Sequence, residues 1–97
     1  MVEYSTVKSR EVRKDAVLVA IHLPLNEVSV NQLAVVVAIQ GGKELHRRLK
    51  ALGIRPGVTI TKISGTEGRG PTVIRNGRTQ TALGCGIARK ILVEVES

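Results

Sequence analysis

The sequence predicts a small, mainly β barrel of about five short strands with one α-helix and an N-terminal extension. The apolar residues are almost all Val, Ile, Leu and Ala, with one Tyr and no Phe or Trp, and β-branched side chains favour strands. After residue 24 the apolar runs are short and are separated by turns rich in Gly or containing Pro, which is typical of small barrels. A single segment, residues 43–52, has helical periodicity.

Length and charge limit the class of protein. A chain of 97 residues is one domain by length, and a net charge of +7 suits nucleic acid, anionic lipid or an acidic protein partner. The single cysteine, Cys85, excludes an intramolecular disulfide and suits a reducing compartment. No secretory leader is recognisable, and no apolar run approaches the ~20 residues of a membrane-spanning helix. We therefore expect a cytoplasmic protein that does not span the membrane.

The chain divides into an extension, residues 1–23, and a barrel, residues 24–97. Residues 1–14 carry mixed charges with little apolar periodicity and are interpreted as a flexible tail. The apolar arm that follows, residues 16–23, is a strand or an extended arm that either covers an edge of the barrel or pairs with another chain. A homo-oligomer formed through residues 16–23 is therefore left open.

The first half of the barrel is predicted to hold one strand and the helix. Residues 25–28 suit one helical turn, and Gln32–Ile39 suit a buried strand that ends at a glycine pair. In the helix over residues 43–52, Gly53 is the expected left-handed residue after the last turn. The residues on the apolar face of this helix are Leu45, Leu49 and Leu52.

The second half is predicted to be short strands joined by tight turns. Asn76-Gly77 is the strongest short signal for a two-residue type I′ hairpin. The glycine-rich segment 64–70 lacks the Gly-Lys-Ser/Thr ending of a phosphate-binding loop and is interpreted as another hairpin loop. The remaining elements are strands over 58–63, 72–75, 78–83 and 91–95 and a single helical turn over 84–88.

The helix and the turn after it are the most distinctive segment. Its basic residues could hold phosphates or acidic side chains through charge-assisted hydrogen bonds; they are Arg47, Arg48, Lys50 and Arg55. The alternative is an ordinary amphipathic helix with a solvated basic face, which helix statistics alone favour. If the segment binds a partner, Leu52, Ile54 and Leu83 are expected to edge an apolar groove between the helix and the barrel.

The sequence contains little evidence for a metal site or a catalytic site. The chain has His22 and His46 as its only histidines, and neither they nor Cys85 have the paired spacing of a metal site. His46 and Cys85 are adventitious metal candidates at most, and Cys85 is expected to be a partly buried structural thiol. No two acids are placed by sequence as an acid/base pair. We therefore expect a binding module with no resident cofactor, not an enzyme.

Two segments resemble the FeoA family, the ferrous iron transport protein A family. Residues 41–57 (GGKELHRRLKALGIRPG) carry a Gly pair, an Arg-Leu-x-x-Leu-Gly helix end and a Pro-Gly turn. Residues 82–91 (ALGCGIARKI) are similar to the family's closing segment. The resemblance covers about Leu25 to Val95, and the two segments at this separation are more specific than either alone.

The resemblance implies an SH3-like β-barrel and a small cytoplasmic protein of ferrous iron uptake. The implied partner is the cytosolic part of the membrane transporter FeoB, and the implied role is regulation by protein–protein contact. The partner-binding surface would then consist of Arg47, Arg48, Leu52, Ile54, Arg55 and Leu83.

Three other functions are compatible with parts of the sequence. A basic SH3-like protein associated with nucleic acid or the ribosome suits the charge, but the barrel offers no aromatic side chains on which bases could stack, so specific nucleic-acid recognition is not expected. A chaperone that binds Fe(II) directly would need oxygen and nitrogen ligands that are sparse here. An enzyme is the weakest of the three.

Overall fold

The computed structural model describes residues 20–66 and 69–96, so most of the N-terminal extension, residues 1–19, lies outside the described part of the chain. The elements in chain order are β1 (Ala20–Pro24), a 3-10 turn (Leu25–Glu27), β2 (Leu33–Ile39), α1 (Lys43–Ala51), β3 (Thr59–Thr66), β4 (Arg69–Asn76), β5 (Thr79–Leu83), α2 (Cys85–Ala88) and β6 (Ile91–Glu96). The prediction of a mainly β fold with one principal helix is confirmed.

The strands form a single six-stranded sheet in the order β1-β6-β2-β3-β4-β5. Every neighbouring pair is antiparallel. The sixth strand is β1, which comes from the apolar arm and pairs with β6 from Ala20↔Glu96 to Pro24↔Leu92. The described end of the arm thus covers an edge of its own sheet. Within the described residues β1 and β5 each pair with one strand, so the sheet curls without closing into a complete barrel.

The core is aliphatic and follows the alternation of the strands. In β6, Ile91, Val93 and Val95 are buried while Glu94 and Glu96 are exposed, as period-two alternation requires. The same inner face receives side chains from the 3-10 turn, α1 and α2. The buried apolar residues are Leu25, Val28, Ala34, Val36, Ile39, Leu49, Ile54, Ile60, Ile74, Leu83, Ala88, Ile91, Val93 and Val95.

Strand β2 is less buried than its apolar sequence predicts. Leu33 is 64% exposed and Val35 is 38% exposed, whereas Ala34 and Val36 are buried. The interpretation of this run as a fully buried strand is therefore wrong for its first half, since one face of β2 meets solvent there. A register shift between Val36 and Ala38 then turns the strand, as β-bulges do.

Helix α1 ends in a Schellman motif. Gly53 has a φ of +82°, its N–H donates to the Lys50 carbonyl at 2.9 Å, and the Ile54 N–H donates to the Leu49 carbonyl at 2.8 Å. This motif places an apolar residue after the glycine against the last turn of the helix. Leu49 and Ile54 are accordingly both buried, and the predicted left-handed role of Gly53 is confirmed.

The β4–β5 hairpin has a two-residue loop, but it begins one residue later than the sequence predicts. Asn76 pairs with Thr79, so the loop is Gly77-Arg78, with Gly77 at a φ of +64°. A positive φ at the first loop residue alone matches a type II′ turn rather than type I′. Asn76 remains in the strand because its Nδ2 donates a 2.7 Å hydrogen bond to the Gly53 carbonyl.

The glycine-rich segment is mostly strand. Strand β3 continues to Thr66 and β4 begins at Arg69, and these two residues pair. The predicted loop over residues 64–70 is therefore shorter than expected, and its two connecting residues lie outside the described part of the chain. Register shifts between Lys62 and Ser64 and between Ser64 and Thr66 let the two strands pair past the glycines.

Candidate partner-binding groove

A groove runs between α1 and the corner formed by β5 and α2. It has a volume of about 160 Å³. Its apolar lining residues come from both sides, so the groove exists only where the helix lies against this corner. The lining residues are Leu45, Arg48, Leu49, Leu52, Ala82, Leu83, Gly84 and Ile87.

The helix supplies one wall through residues spaced three and four apart, which share a face. Leu49 is 2% exposed and lies at the bottom of the groove, while Leu52 is 42% exposed and lies at its edge. Leu52 is the C-cap of α1, where the Schellman turn holds the end of the helix against Ile54. The apolar rim is therefore fixed by the same turn that ends the helix.

The other wall is the corner between β5 and α2. Leu83 ends β5 and Gly84 begins the single turn of α2, in which the Ile87 and Ala88 N–H groups donate to the Gly84 carbonyl at 3.0 and 2.9 Å. Ala88 is buried beneath the corner, while Ile87 is half-buried and faces the groove. The predicted single helical turn over residues 84–88 is confirmed.

The structure brings three of the six predicted partner-binding residues together. Arg48, Leu52 and Leu83 all line the groove. Leu52 and Arg48 are exposed, whereas Leu83 is 5% exposed and contributes mainly as floor. These positions make one continuous surface of mixed apolar and basic character.

The other three predicted residues are outside this lining. Ile54 is 0% exposed, because the Schellman motif turns it into the core, and it has no surface to offer a partner. Arg55 is exposed in the turn after the helix. Arg47 pairs with Glu44 through two of its three guanidinium nitrogens: Nε donates to Oε1 at 3.3 Å and Nη2 donates to Oε2. Of the predicted arginines, only Arg48 lines the groove.

The charged residues of α1 are mostly basic. The helix sequence KELHRRLKA holds four basic residues, and its single acid is Glu44. The Arg47–Glu44 pair is highly exposed, at 70% and 68% of the two side chains, so water screens much of it. The exposed side of the helix is therefore basic beside an apolar groove.

The part of the chain that the structure describes holds no assembled metal site. Among residues 20–66 and 69–96, no group of three His, Cys, Asp or Glu side chains could hold an ion. His46 is exposed on α1, and Cys85 is half-buried on α2, where Arg89 Nη2 lies 3.4 Å from its Sγ. The arrangement at Cys85 is a helical i, i+4 contact.

A second, larger groove was missed by the sequence analysis. It has a volume of about 380 Å³ and lies on the outer face of β2, β3 and β6. The exposed Leu33 and Val35 form its apolar part. The lining residues are Gln32, Leu33, Val35, Thr59, Glu94, Val95 and Glu96.

Comparison with known proteins identifies the family. The FeoA domain model matches residues 23–95, which includes every element from the end of β1 through most of β6. No curated protein sequence matches the chain. In the described part of the chain, no helix has the length and apolar character needed to cross a membrane.

Solved structures agree with this match. A crystal structure of the iron uptake regulatory protein FeoA is 32% identical, covers 77% of this chain and 99% of that one, and has a TM-score of 0.67. FeoA of Stenotrophomonas maltophilia, described as a prokaryotic SH3 domain protein and crystallised with zinc, is 26% identical. It covers 77% of this chain and 95% of that one, with a TM-score of 0.66.

A manganese-dependent transcriptional repressor shares the fold. It is 17% identical over 76% of this chain and 41% of that chain, with a TM-score of 0.68. The comparison shows the fold alone at this identity. The predicted SH3-like architecture is confirmed by the likeness to the Stenotrophomonas maltophilia structure.

The FeoA domain model matches three quarters of the length of this chain. The chain therefore belongs to the FeoA family, which is associated with ferrous iron transport.

Proposed function

We propose that this protein is a cytoplasmic accessory and regulatory protein of ferrous iron uptake that acts by contact with the cytosolic part of a FeoB transporter. The observation that carries the proposal is the groove beside α1, where exposed Leu52 and Arg48 lie together. A surface with both characters suits an acidic, partly apolar element of a protein partner. Membership of a family associated with ferrous iron transport favours the transporter FeoB as that partner. The function is binding rather than catalysis.

The apolar part of the groove is expected to provide most of the affinity. Leu52 is the exposed anchor, and Leu45, Leu83 and Ile87 surround it. A few residues in well-packed, desolvated pockets near the centre of an interface carry most of its binding energy. A partner side chain of Leu, Ile or Val size would bury this rim.

The basic part is expected to set orientation and association rate. Charges at the border of an interface steer encounter and select partners more than they add affinity. Arg48 lines the groove itself, whereas Arg47 and Arg55 are nearby on the predicted surface. Since Arg47 already pairs with Glu44, its contribution to a partner would require sharing that contact.

The experiment is retention of detergent-solubilised FeoB from the same organism by the purified protein, at low and moderate salt. Leu52→Asp and Arg48→Glu should each weaken retention without unfolding the protein, because both side chains are exposed. Arg69→Glu is the charge-matched control, since Arg69 is exposed and lies outside the groove lining. Loss that is equal in Arg48→Glu and Arg69→Glu would show a general charge effect and contradict this site.

The double variant Arg47→Glu/Arg48→Glu tests the wider basic surface. Unchanged retention by this folded variant would remove the basic face from the interface. If FeoB is not retained and nucleic acid co-purifies in a salt-sensitive manner, the alternative of a basic nucleic-acid-associated domain is favoured instead.

A further inference from the structure

The outer-face groove is an exposed apolar surface that the FeoB-binding proposal does not use. Leu33 and Val35 project from β2 on the side opposite to the buried Ala34 and Val36. Val35 is in register with Glu94 of β6 and with Thr59 of β3, so these side chains share one face of the sheet. The result is an aliphatic patch with two carboxylates, Glu94 and Glu96, along one side.

The chain enters the sheet beside this groove. Ala20, the first residue of β1, is in register with Glu96, and Glu96 lines the groove. The residues directly before Ala20 are Ala16-Val17-Leu18-Val19, four apolar residues in succession. An apolar run is therefore tethered at the border of an exposed apolar patch.

The reach of this run fits the groove. Strand β2 is the second neighbour of β1, across β6, which places it about 10 Å away since neighbouring strands are ~4.8 Å apart. Four extended residues span about 13 Å at ~3.3 Å each. Residues 16–19 are thus long enough to cross β6 and contact Leu33 and Val35.

We propose that residues 16–19 dock in the outer-face groove of their own chain and cover Leu33 and Val35. The tether favours this occupant over a second copy of the protein, because a segment joined directly to its site has an effective concentration in the millimolar range. The docked run would extend the FeoA domain by a segment that lies outside its matched residues 23–95. The inference is independent of FeoB binding, since it uses the opposite face of the sheet from the core.

The test is methyl NMR on the full-length protein. The expected result is NOEs from the methyl groups of Val17, Leu18 or Val19 to those of Leu33 and Val35. Their presence in a uniformly labelled sample, and their absence between differently labelled copies in a mixed sample, identifies contact within one chain. NOEs that appear only between copies would overturn docking within the chain, and no NOEs to Leu33 or Val35 would overturn docking altogether.

A pair of variants provides an independent measurement. Val17→Asp/Val19→Asp should move the Leu33 and Val35 methyl resonances by removing the apolar occupant. Val7→Asp/Val12→Asp is the matched control, because it adds the same two charges in the same extension outside the docked run. The core methyls of Ile60 and Val93 report that the fold is intact, and equal shifts at Leu33 and Val35 in the variant pair and in the control would contradict the proposal.

Discussion

The ammonium group of Lys62 donates a 2.7 Å hydrogen bond to the carbonyl oxygen of Val28. Lys62 is 0% exposed, and its Nζ also lies 3.5 Å from the carbonyl oxygen of Asn26. A buried polar group is tolerated when it is hydrogen-bonded. Here the lysine of β3 ties the turn between β1 and β2 to the middle of the sheet.

Replacement of Lys62 should separate the hydrogen bond from the packing of the side chain. Lys62→Met keeps most of the apolar stem but leaves the Val28 carbonyl without its donor, so we expect a loss of about 1–3 kcal/mol in the free energy of unfolding. Lys62→Ala also leaves a cavity and should lose about 2–5 kcal/mol for the missing volume. Urea unfolding of both variants is the measurement.

A gain in stability on replacing Lys62 would also be informative. If Lys62→Met proves more stable than the natural protein, the cost of burying the ammonium exceeds the value of its hydrogen bonds, as happens for some buried charges. The hydrogen bond between Lys62 and Val28 would then position the turn without stabilising the fold.

The bond between Asn76 and the end of α1 gives a second prediction. Asn76→Ala removes the 2.7 Å bond to the Gly53 carbonyl and should cost about 0.5–1.5 kcal/mol. Asn76→Asp should cost at least as much, because a carboxylate cannot donate to a carbonyl oxygen. Equal stability of the Ala variant and the natural protein would show that water replaces the bond.

Alanine substitutions of two glycines separate the energetic cost of backbone strain from that of a steric clash. A Cβ on Gly53 would lie 2.6 Å from Asn76 Nδ2, whereas one on Gly57 meets nothing within 4 Å; both residues have positive φ. Gly57→Ala should therefore cost only the left-handed backbone strain of about 1–2 kcal/mol, and Gly53→Ala should cost more. In the Asn76→Ala background the difference between the two should shrink, as urea midpoints would show.

Neutralising Glu44 should increase the basic character of the proposed FeoB-binding surface. Glu44→Gln releases Arg47 from its ion pair, and the loss of an exposed helical pair should cost no more than about 0.5 kcal/mol. We expect stronger retention of FeoB at low salt and little difference at moderate salt. Glu27→Gln is the matched control, and equal gains in both variants would indicate net charge rather than the freed arginine.

Strand β1 is joined to β6 by a cross-strand pair that can be measured directly. His22 Nε2 lies 2.9 Å from Glu94 Oε1, with the side chains 50% and 46% exposed. A double-mutant cycle with His22→Ala and Glu94→Ala should give a coupling of about 0.2–1 kcal/mol. A coupling near zero would mean that this pair does not help to hold β1 in the sheet. The backbone hydrogen bonds to β6 and the packing of Leu23 against the core would then hold it.

The sequence predicts the helix and its end well because both depend on local rules. The spacing of Leu45, Leu49 and Leu52 determines one helical face, and Gly53 supplies the left-handed residue. The same motif explains why the prediction that Ile54 edges the groove is wrong. The residue after such a glycine packs against the last helical turn, so its burial could have been predicted from the motif.

Other features depend on contacts between distant residues. The Asn76-Gly77 pair has a strong local preference for a loop, but the hydrogen bond to Gly53, 23 residues away, keeps Asn76 in the strand. The exposure of Leu33 and Val35 gives no signal in sequence, because β2 is apolar at every position. Lys62 does leave a signal, since alternation along β3 places it on the same face as Ile60.

The position of β6 in the sheet has a consequence for how the protein forms. The last described strand, β6, lies between β1 and β2 and pairs with both, so the first described strand has its ladder partner more than seventy residues later, at Ala20↔Glu96. During synthesis on the ribosome, β1 must wait for its partner β6 until that later strand has emerged. Such long-range pairing slows folding and leaves strand edges exposed meanwhile, so this small domain should complete its fold only once β6 has been made and should be sensitive to truncation that removes β6.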